Sequence, residues 1–419
     1  MAESLLKRIA IQSVTVMLLV ITLSYTIQRY QLITIEASDK LINNTMENLS
    51  PNTYLSSEDA IEELSNQSTN DDHTLFQGVM EDVDVNIISH LSDRYLIIKK
   101  PEGSALSLTL EDLYLTRSIR ININGLSNDD ISSGMIGRVH NDELFTGEPD
   151  FIEYTTFKTD TTDDVTEPVI TKDYGNDIIH GITIDTLYDE EQEKYRAEIM
   201  LELDNVYVHN LQEDDNFYYI DLNFPRDVYD KILVIDAGHG GKDAGALSKD
   251  EKYYEKDFNL DILLHLKEKL DQEDIKVYYT RLSDEKLFLR PRVNLANAVD
   301  CDFFISIHCN ASTASGPNGT EILYYDREFE GIKSKDLAQI ISTELGKTIS
   351  IKNRGLVQKK DNEIFILKNA IVPAIIIEVG YLTNNNDMIY LSNSEHRKAA
   401  AEGIYNGIMT AYETLKMKD

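Results

Sequence analysis

The sequence predicts an α/β fold for its C-terminal half: a mostly parallel, twisted sheet with helices on both faces, preceded by a separate all-β domain and an N-terminal membrane helix. Three observations predict it. From residue 231 onward, fully apolar runs alternate with helical patterns; residues 84–224 hold short β-branched and Tyr-rich runs; and an apolar stretch lies near the start. The predicted boundaries are 1–28 for a membrane anchor or signal segment, 29–79 for a polar linker, 80–227 for an acidic all-β domain, and 228–419 for the α/β domain.

The N-terminal segment has the pattern of a membrane anchor. Lys7 and Arg8 precede an apolar stretch over residues 9–27 that is long enough to cross a bilayer. Positive charge before the stretch favours an N-terminus inside and a C-terminus outside. The "SYT" at residues 24–26 is a poor signal-peptidase site, which favours an uncleaved anchor over a cleaved signal or a buried helix. The predicted location is therefore the cell surface, or the medium if the segment is cleaved.

The charge distribution excludes one class of partner. The formal net charge is −33, and about −30 of it falls between residues 36 and 227. Because no basic surface is indicated, nucleic-acid binding is not expected. The acidity is typical of a well-solvated module, with binding of cations or of a basic partner as the alternative.

Residues 29–79 have the composition of a linker. They are rich in Asn, Ser, Thr, Asp and Glu and show no sustained hydrophobic period.

The region before residue 225 is predicted to be all-β. Its apolar or alternating runs are separated by clusters of Asp, Asn and Gly, the usual pattern of short strands and turns. The clearest runs are "RYLIIKK", "SIRININGL", "IIHGITIDTLY", "YRAEIMLELDNVYV" and "NFYYIDLNF".

The α/β region alternates strand and helix in order. Apolar runs without alternation indicate strands buried on both faces, as in parallel sheets. Ser394 is the expected N-cap of the long closing helix. The predicted strands are "KILVID", "KVYYTR", "DFFISIH" and "AIIIEVG", and the predicted helices are "NLDILLHLKEKLDQE", "RVNLANAV", "SKDLAQIISTELGKTI" and "SEHRKAAAEGIYNGIMTAYETLK".

The two cysteines, Cys301 and Cys309, predict no disulfide. They flank one apolar run, whose ends lie roughly 25 Å apart if it is a strand. That separation is too large for a bond between them. Cys309 follows His308 directly, so along a strand its side chain points to the opposite face.

Three polar residues are predicted to meet at one edge of the sheet. His239 follows the strand "KILVID", His308 ends "DFFISIH", and Glu378 ends "AIIIE". In an open parallel sheet, sites form outside the carboxyl ends of the strands. A single His in such a place is usually a hydrogen-bonded structural residue, but the convergence of three groups favours a functional site.

Two histidines and one carboxylate form a usual catalytic zinc set, with a position left for water. The nearest further carboxylates are Asp236, Asp243, Glu251 and Glu255. Glu255 begins a helix and can turn back toward His239, whereas Asp243 can hold the glycine turn through backbone contacts. Spacing alone leaves the choice among them open.

The glycine turn "VIDAGHGGKDAGA" also raises the possibility of phosphate binding. A dinucleotide fingerprint needs a third glycine where Asp243 stands, and "GGKDAG" lacks the hydroxyl residue of a P-loop. A carboxylate in a phosphate nest would repel its ligand. Nucleotide binding is therefore disfavoured.

Seven ordered blocks between residues 232 and 415 resemble a known family. They are "VIDAGHGGKDAGA", "EKDFNL", "YTRLSD", "RVNLANAVDCDFFISIHCNAS", "GTEILYY", "ILKNAIVPAIIIEVGYLTN" and "AAEGIYNGI". This region resembles the catalytic domain of the zinc-dependent N-acetylmuramoyl-L-alanine amidases, often called amidase type 3. Ala237 stands where the family often has Pro, and Cys309 where Ala is common; neither change removes a functional group.

The resemblance implies a zinc site and a reaction. It implies that Zn²⁺ is held by His239, Glu255 and His308, with Glu378 as the catalytic acid and base. The implied substrate is peptidoglycan, at the amide between N-acetylmuramic acid and L-alanine. Activity on another cell-wall bond, and a non-catalytic wall-binding protein, are the alternatives.

Further partners are less well defined. Arg292 and Arg354 are candidates for shaping the site or binding substrate carboxylates, with an ordinary ion pair as the alternative for each. The all-β region has no specific motif, so a spacer, a wall-glycan binder and a protein dock all stay open. The membrane is the expected partner of the N-terminal helix, and no protein activator is indicated.

Overall fold

In a computed structural model, the described residues are 83–101, 103–129, 131–140, 143–159, 166–314, 316–360 and 363–416. All of them belong to one compact unit, Leu75–Asp419. The predicted membrane segment at 1–28 and the linker at 29–79 lie outside the described residues. None of the described helices is long and apolar enough to cross a membrane.

The first part of the described chain consists mainly of antiparallel strands. Its strands are β1 (Tyr95–Lys99), β2 (Gly103–Leu113), β3 (Ser118–Leu126), β4 (Ile136–His140), β5 (Glu143–Thr146), β6 (Ile152–Thr159), β7 (Thr166–Asp173), β8 (Ile179–Asp189), β9 (Lys194–Leu203), β10 (Val208–Glu213) and β11 (Phe217–Asn223). Two short helices, α1 (Val85–Ile88) and α2 (Pro225–Val228), lie at its ends, and 3-10 turns occur at Tyr114–Thr116 and Ser133–Met135. The sheet orders are β10-β11-β1-β4-β5, β2-β3-β9-β8 and β6-β7.

Alternation in the sequence explains how the two larger sheets pack. In β3, the side chains of Ile119, Ile121 and Ile123 all point into the core, because residues two apart share a face of a strand. They join one buried cluster with residues of the five-stranded sheet such as Ile98 and Ile220. The strands predicted for this region are therefore present, while its independence as a domain stays a prediction.

The second part contains strands and helices in alternation. Its elements are β12 (Ile232–Ala237), α3 (Glu255–Leu270), β13 (Lys276–Tyr279), α4 (Leu289–Ala298), β14 (Phe303–Asn310), β15 (Thr320–Tyr324), β16 (Glu328–Phe329), β17 (Ile332–Lys333), α5 (Ser334–Thr348), β18 (Asn353–Gln358), α6 (Phe365–Asn369), β19 (Ala374–Tyr381), α7 (Asn385–Leu391) and α8 (Ser394–Thr414).

These elements form one central six-stranded sheet with the order β13-β12-β14-β19-β15-β18. Its strand pairs are parallel except that β15 runs antiparallel to β19. Helices α3, α5 and α8 pack on one face in a single buried cluster, and α4 and α6 pack on the other. Apolar runs without alternation follow from burial on both faces, since every residue of β12 is buried. The predicted α/β sheet with its helices is thus confirmed.

The predicted cap of the last helix was wrong by one residue. The N-cap is Asn393, whose side chain accepts a hydrogen bond from the backbone N–H of Glu395, and Ser394 is the first helical residue. Asparagine and serine are comparable caps, so the backbone conformation of residue 393 decides between them.

The two parts of the described chain contact each other. Val206 and the partly buried Tyr114 and Leu115 belong to the same cluster as α4 and α6. The Tyr114 hydroxyl also donates a hydrogen bond to the carbonyl of Tyr279, at 2.8 Å. The antiparallel strands therefore support the face of the central sheet that carries α4.

Candidate metal centre

The carboxyl edge of the central sheet brings the predicted residues together. His308 of β14 lies opposite Glu378 of β19, and Glu378 lies opposite Glu321 of β15. Residues that are partners across a sheet point to the same face, so these three side chains form one row. Gly238, one residue past β12, lies next to His308 and donates its N–H to Ile307.

The absence of a side chain at Gly238 makes room for His308. A Cβ atom at this position would lie 2.1 Å from the Cε1 atom of His308. Gly245 is required for a similar reason: its φ is +68°, and a Cβ atom there would lie 2.5 Å from Oε2 of Glu255. The glycines of the turn therefore allow the backbone to fold tightly around the candidate ligands.

His239 sits in this turn with a left-handed backbone (φ +63°). Its Nδ1 lies 3.0 Å from Oδ2 of Asp243, and its Nε2 lies 3.2 Å from Oε2 of Glu255. A carboxylate at one ring nitrogen fixes the orientation of the other, as is usual for metal-binding histidines. Asp243 thus orients His239, and it also accepts a hydrogen bond from the N–H of Gly245.

Glu255 reaches the same place from the first turn of α3. Its carboxylate is buried and accepts hydrogen bonds from the backbone N–H groups of Ala246 (2.8 Å) and Cys309 (3.1 Å). Its Oε1 lies 2.8 Å from Nδ1 of His308. The N-terminus of a helix favours a negative charge, which also stabilises the carboxylate there.

These residues form a candidate metal site. One ligand atom from each of His239, Glu255 and His308 can be chosen so that all lie within 4.8 Å of one another. The two imidazole rings stand nearly perpendicular, with centroids 5.0 Å apart. Two imidazole nitrogens and a carboxylate oxygen are the donor set of catalytic zinc sites, so the residues present fit Zn²⁺.

The electrostatics of the three residues are strongly coupled. Burial would raise the pKa of Glu255, but the hydrogen bonds of His239 and His308 outweigh it and hold the pKa well below its usual range. Burial would lower the pKa of His239, but Glu255 and Asp243 raise it to about 9. The site therefore attracts cations, and a metal ion must compete with protons for it.

Glu378 lies in a different environment, although it is only one strand away. Burial raises its pKa to about 7; His308 opposes this shift, whereas Glu255 and Glu321 add to it. A carboxyl group with such a pKa exchanges a proton near neutral pH, which is the property of a general base and acid.

A small cavity of about 110 Å³ opens beside the two histidines. Its other lining residues include Phe288 and Leu289, before and at the start of α4, and Ile366 of α6. The cavity therefore lies on the α4 and α6 face of the sheet, the face to which His308 points.

The other carboxylates considered for the third ligand lie outside the cluster of candidate ligand atoms. Asp236 is fully buried and accepts hydrogen bonds from Thr280, Arg292 and Ser306 at 2.5–2.6 Å. Glu251 is exposed at a tight turn. The cluster of ligand atoms contains neither Asp236 nor Glu251, and Asp243 acts on it through His239.

The two predicted arginines are placed differently. Arg292 is buried and donates hydrogen bonds to Asp236 and to the carbonyls of Ala237 and His239, so it shapes the strand exit. Arg354 forms an ion pair with Glu321 (2.9 Å) at the outer strand β18 and stays about one-third exposed. A role in substrate binding stays a prediction for both.

Sequence reasoning missed two supporting residues. Arg281 donates hydrogen bonds to the carbonyls of Ala237, Gly238 and Lys256. Asn259, one turn into α3, donates to the carbonyl of Gly238 and lies 3.3 Å from Glu255. Arg281 is the second residue after strand β13, at the same carboxyl edge, and this position was a signal that could have found it.

Fold and site together define an α/β protein with a candidate two-histidine, one-carboxylate metal centre. A family profile described as N-acetylmuramoyl-L-alanine amidase matches residues 233–410. The germination-specific N-acetylmuramoyl-L-alanine amidase of Bacillus subtilis (strain 168) is 31% identical over 193 residues, which cover 43% of this chain and 78% of that protein. The chain belongs to the N-acetylmuramoyl-L-alanine amidase family, as the sequence blocks predicted.

Two further relatives match the same part of the chain. The uncharacterized protein YqiI of Bacillus subtilis (strain 168) is 36% identical over 183 residues, 44% of this chain and 85% of that protein. The solved catalytic domain of CwlV, an N-acetylmuramoyl-L-alanine amidase from Bacillus (Paenibacillus) polymyxa var. colistinus, is 35% identical. It covers 44% of this chain and 99% of its own, with a TM-score of 0.40.

Proposed function

We propose that the chain hydrolyses the amide bond between N-acetylmuramic acid and L-alanine in peptidoglycan, using Zn²⁺ held by His239, Glu255 and His308. The observation that carries the proposal is the convergence of these three ligands beside Glu378, in a chain of the amidase family. Bound there, Zn²⁺ would polarise the scissile carbonyl and lower the pKa of water.

Glu378 is the proposed general base and acid. Its raised pKa, caused by burial, makes its carboxylate a suitable acceptor for a proton from the attacking water at neutral pH. The protonated carboxyl then donates that proton to the leaving amine of L-alanine. In support of this role, Glu378 is the partner of His308, a proposed metal ligand, across strands β14 and β19.

Neighbouring residues hold the reacting groups in place. Asp243 orients the ring of His239, and the backbone N–H groups that bind Glu255 fix its carboxylate. Arg281 and Arg292 hold the carbonyls at the end of β12, which sets the position of the turn that carries His239. Substitution of a residue that makes a supporting contact of this kind typically lowers metal affinity or activity by about 10- to 100-fold.

The proposal includes the cellular location. The apolar segment within residues 1–28, with Lys7 and Arg8 before it, is proposed to anchor the chain so that the amidase region acts outside the cytoplasm. Peptidoglycan, the proposed substrate, lies on that side of the membrane. The antiparallel strands of residues 80–227 are proposed to form a separate acidic domain, since their composition and charge differ from those of the amidase region.

Digestion of purified peptidoglycan tests the function. The full chain, supplemented with Zn²⁺, is expected to release stem peptides with a free L-alanine N-terminus from intact glycan strands, as identified by mass spectrometry. The same chain with Glu378→Gln is the control for activity at this site.

Two results would contradict the proposal. Cleavage only within the stem peptides would favour a zinc hydrolase of another cell-wall bond. Binding to the wall without any cleavage product would favour a non-catalytic wall-binding protein.

A further inference from the structure

Three arginines near the carboxyl edge of the central sheet differ in how many donors the protein uses. Arg281 and Arg292 are almost fully buried, and their N–H groups donate hydrogen bonds to backbone carbonyls and, in the case of Arg292, to the buried carboxylate of Asp236. Arg354 has a side chain that is 34% exposed. Among the described residues, its contacts engage Nε, at 2.9 Å from Glu321, and Nη1, at 3.4 Å from the carbonyl of Asn318. A guanidinium has five N–H donors, so Arg354 retains donors for a ligand.

Glu321 holds Arg354 in a defined position. Glu321 is buried (7% exposed), and its carboxylate also accepts hydrogen bonds from the Tyr381 hydroxyl (2.6 Å) and the Asn310 amide (3.0 Å). Three donors from three different strands therefore fix the orientation of this carboxylate. Because the guanidinium is anchored through Nε, less side-chain entropy is lost when a ligand binds its remaining N–H groups.

The pair of Arg354 and Glu321 lies at one end of the row formed by His308, Glu378 and Glu321. Glu321 is the neighbour of Glu378 across β15 and β19, and Gly355, the residue after Arg354, is the neighbour of Glu321 across β18. From His308 on β14 to β18 there are three strand spacings, about 14 Å in total. A peptide covers that distance in about four residues.

The exposed guanidinium is a local positive group at the edge of the central sheet. Most of the net charge of −33 lies between residues 36 and 227, outside the amidase region, so a single cation can favour the binding of an acidic peptide stem there. A planar guanidinium matches a carboxylate in geometry and can bind it with two parallel hydrogen bonds.

We infer that Arg354, positioned by Glu321, binds a carboxylate of the peptide stem within about four residues of the cleaved amide. It thereby selects stems with free carboxylates over stems whose carboxylates are amidated. This inference rests on the proposed amidase function.

The test compares two muramyl-peptide substrates that differ only in whether the stem carboxylates are free or amidated. The ratio of their kcat/KM values is measured for the Zn²⁺-supplemented full chain and for Arg354→Gln, Glu321→Gln and Arg120→Gln. Arg120 is a matched control, since it is 32% exposed and pairs with Glu111 in the antiparallel strands.

We expect wild type to favour the free carboxylates. Arg354→Gln is expected to lower the ratio by about 10-fold or more, through KM, which is the scale of a charge-assisted pair. Glu321→Gln is also expected to lower the ratio of kcat/KM values, because the guanidinium of Arg354 loses the carboxylate that holds it in position. Arg120→Gln is expected to leave the ratio unchanged.

A second variant covers the case in which Arg354→Gln lowers the melting temperature. Arg354→Lys, which retains the charge, is then used instead, and it is expected to lose only part of the preference for free carboxylates.

Several outcomes would overturn the inference while wild type still cleaves both substrates. In one, Arg354→Gln lowers kcat equally on both and leaves the ratio intact. In another, the ratio responds to Lys286→Gln, a change in the lining of the cavity beside the two histidines, and not to Arg354→Gln. An unchanged ratio in Glu321→Gln would overturn its positioning role. Failure of wild type to cleave either substrate would instead contradict the proposed function.

Discussion

Two glutamates of the site show how environment determines the role of a side chain. Glu255 lies at a helix N-terminus and accepts two backbone N–H groups, while two histidines face it; its pKa is held low and it suits a cation. Glu378 is one strand away from His308, and burial raises its pKa to about 7, so it suits proton transfer. Burial raises the pKa of both carboxyl groups, so the difference comes from the hydrogen-bond donors and histidines that face Glu255 and from the carboxylates that face Glu378.

Substitution of the proposed base tests this division of roles. Glu378→Gln is expected to lower kcat by about 10²- to 10⁴-fold, because the amide cannot accept the proton from water. Its zinc content, measured by elemental analysis, is expected to equal that of wild type, since Glu378 is outside the cluster of ligand atoms. Near wild-type turnover in this variant would show that another group is the base.

At the scale of elements, the site depends on how strand β12 ends. The strand is buried throughout, and immediately after it the chain turns at Gly238 so that His308 fits against its backbone. Two buried arginines then hold the carbonyls of the turn. The geometry of the candidate metal site therefore depends on how β12 ends as much as on the candidate ligands themselves.

Gly238→Ala tests the close approach at this exit. The new Cβ atom would lie 2.1 Å from the His308 ring, so the ring must move away from its position beside Glu255. We expect zinc affinity, measured by competition with a chelator, to fall by about 10- to 100-fold.

The matched control for this change is Gly316→Ala, where a Cβ atom would have no neighbour within 4 Å. Its zinc affinity is expected to equal that of wild type. Equal affinities for Gly238→Ala and wild type would show that the turn has room to relax.

At the scale of the whole molecule, the antiparallel strands support the amidase region. The 3-10 turn at Tyr114–Thr116 packs against the cluster that contains α4, and the Tyr114 ring meets the edge of Tyr278 with centroids 5.1 Å apart. Helix α4 in turn carries Arg292, which holds the carbonyl of His239. A chain of contacts thus runs from the antiparallel strands to the candidate metal site.

Tyr114→Ala tests the strength of this contact. It removes an aromatic contact and the hydrogen bond to the carbonyl of Tyr279, so the free energy of unfolding is expected to fall by about 1–3 kcal/mol. Denaturant unfolding of the full chain measures this change. Tyr188→Ala, which removes an exposed tyrosine of β8, is the control and is expected to cost less than about 1 kcal/mol. Equal losses for the two variants would show that the contact contributes nothing specific.

Much of the fold was readable from the sequence because the physical signals are local. Period-two alternation predicted β3, and unbroken apolar runs predicted β12, β14 and β19. The less regular elements, such as β15, β18 and α6, were not predicted as a strand or a helix, since their patterns are short or mixed. The cap at Asn393 was missed for a related reason: two good caps stand side by side, and only the backbone conformation selects one.

The sequence by itself determined the type of site: its residue types, its position at strand ends, and the family. Spacing alone left four carboxylates as possible partners of the two histidines, because spacing along a chain does not measure distance across a helix and a turn, and only the family resemblance pointed to Glu255. Only the tertiary structure decided that the start of α3 brings Glu255 to the edge of the sheet, that Asp236 is already held by Arg292, and that Glu321 anchors Arg354. These contacts join residues from distant parts of the chain, so they exist only once the sheet has formed.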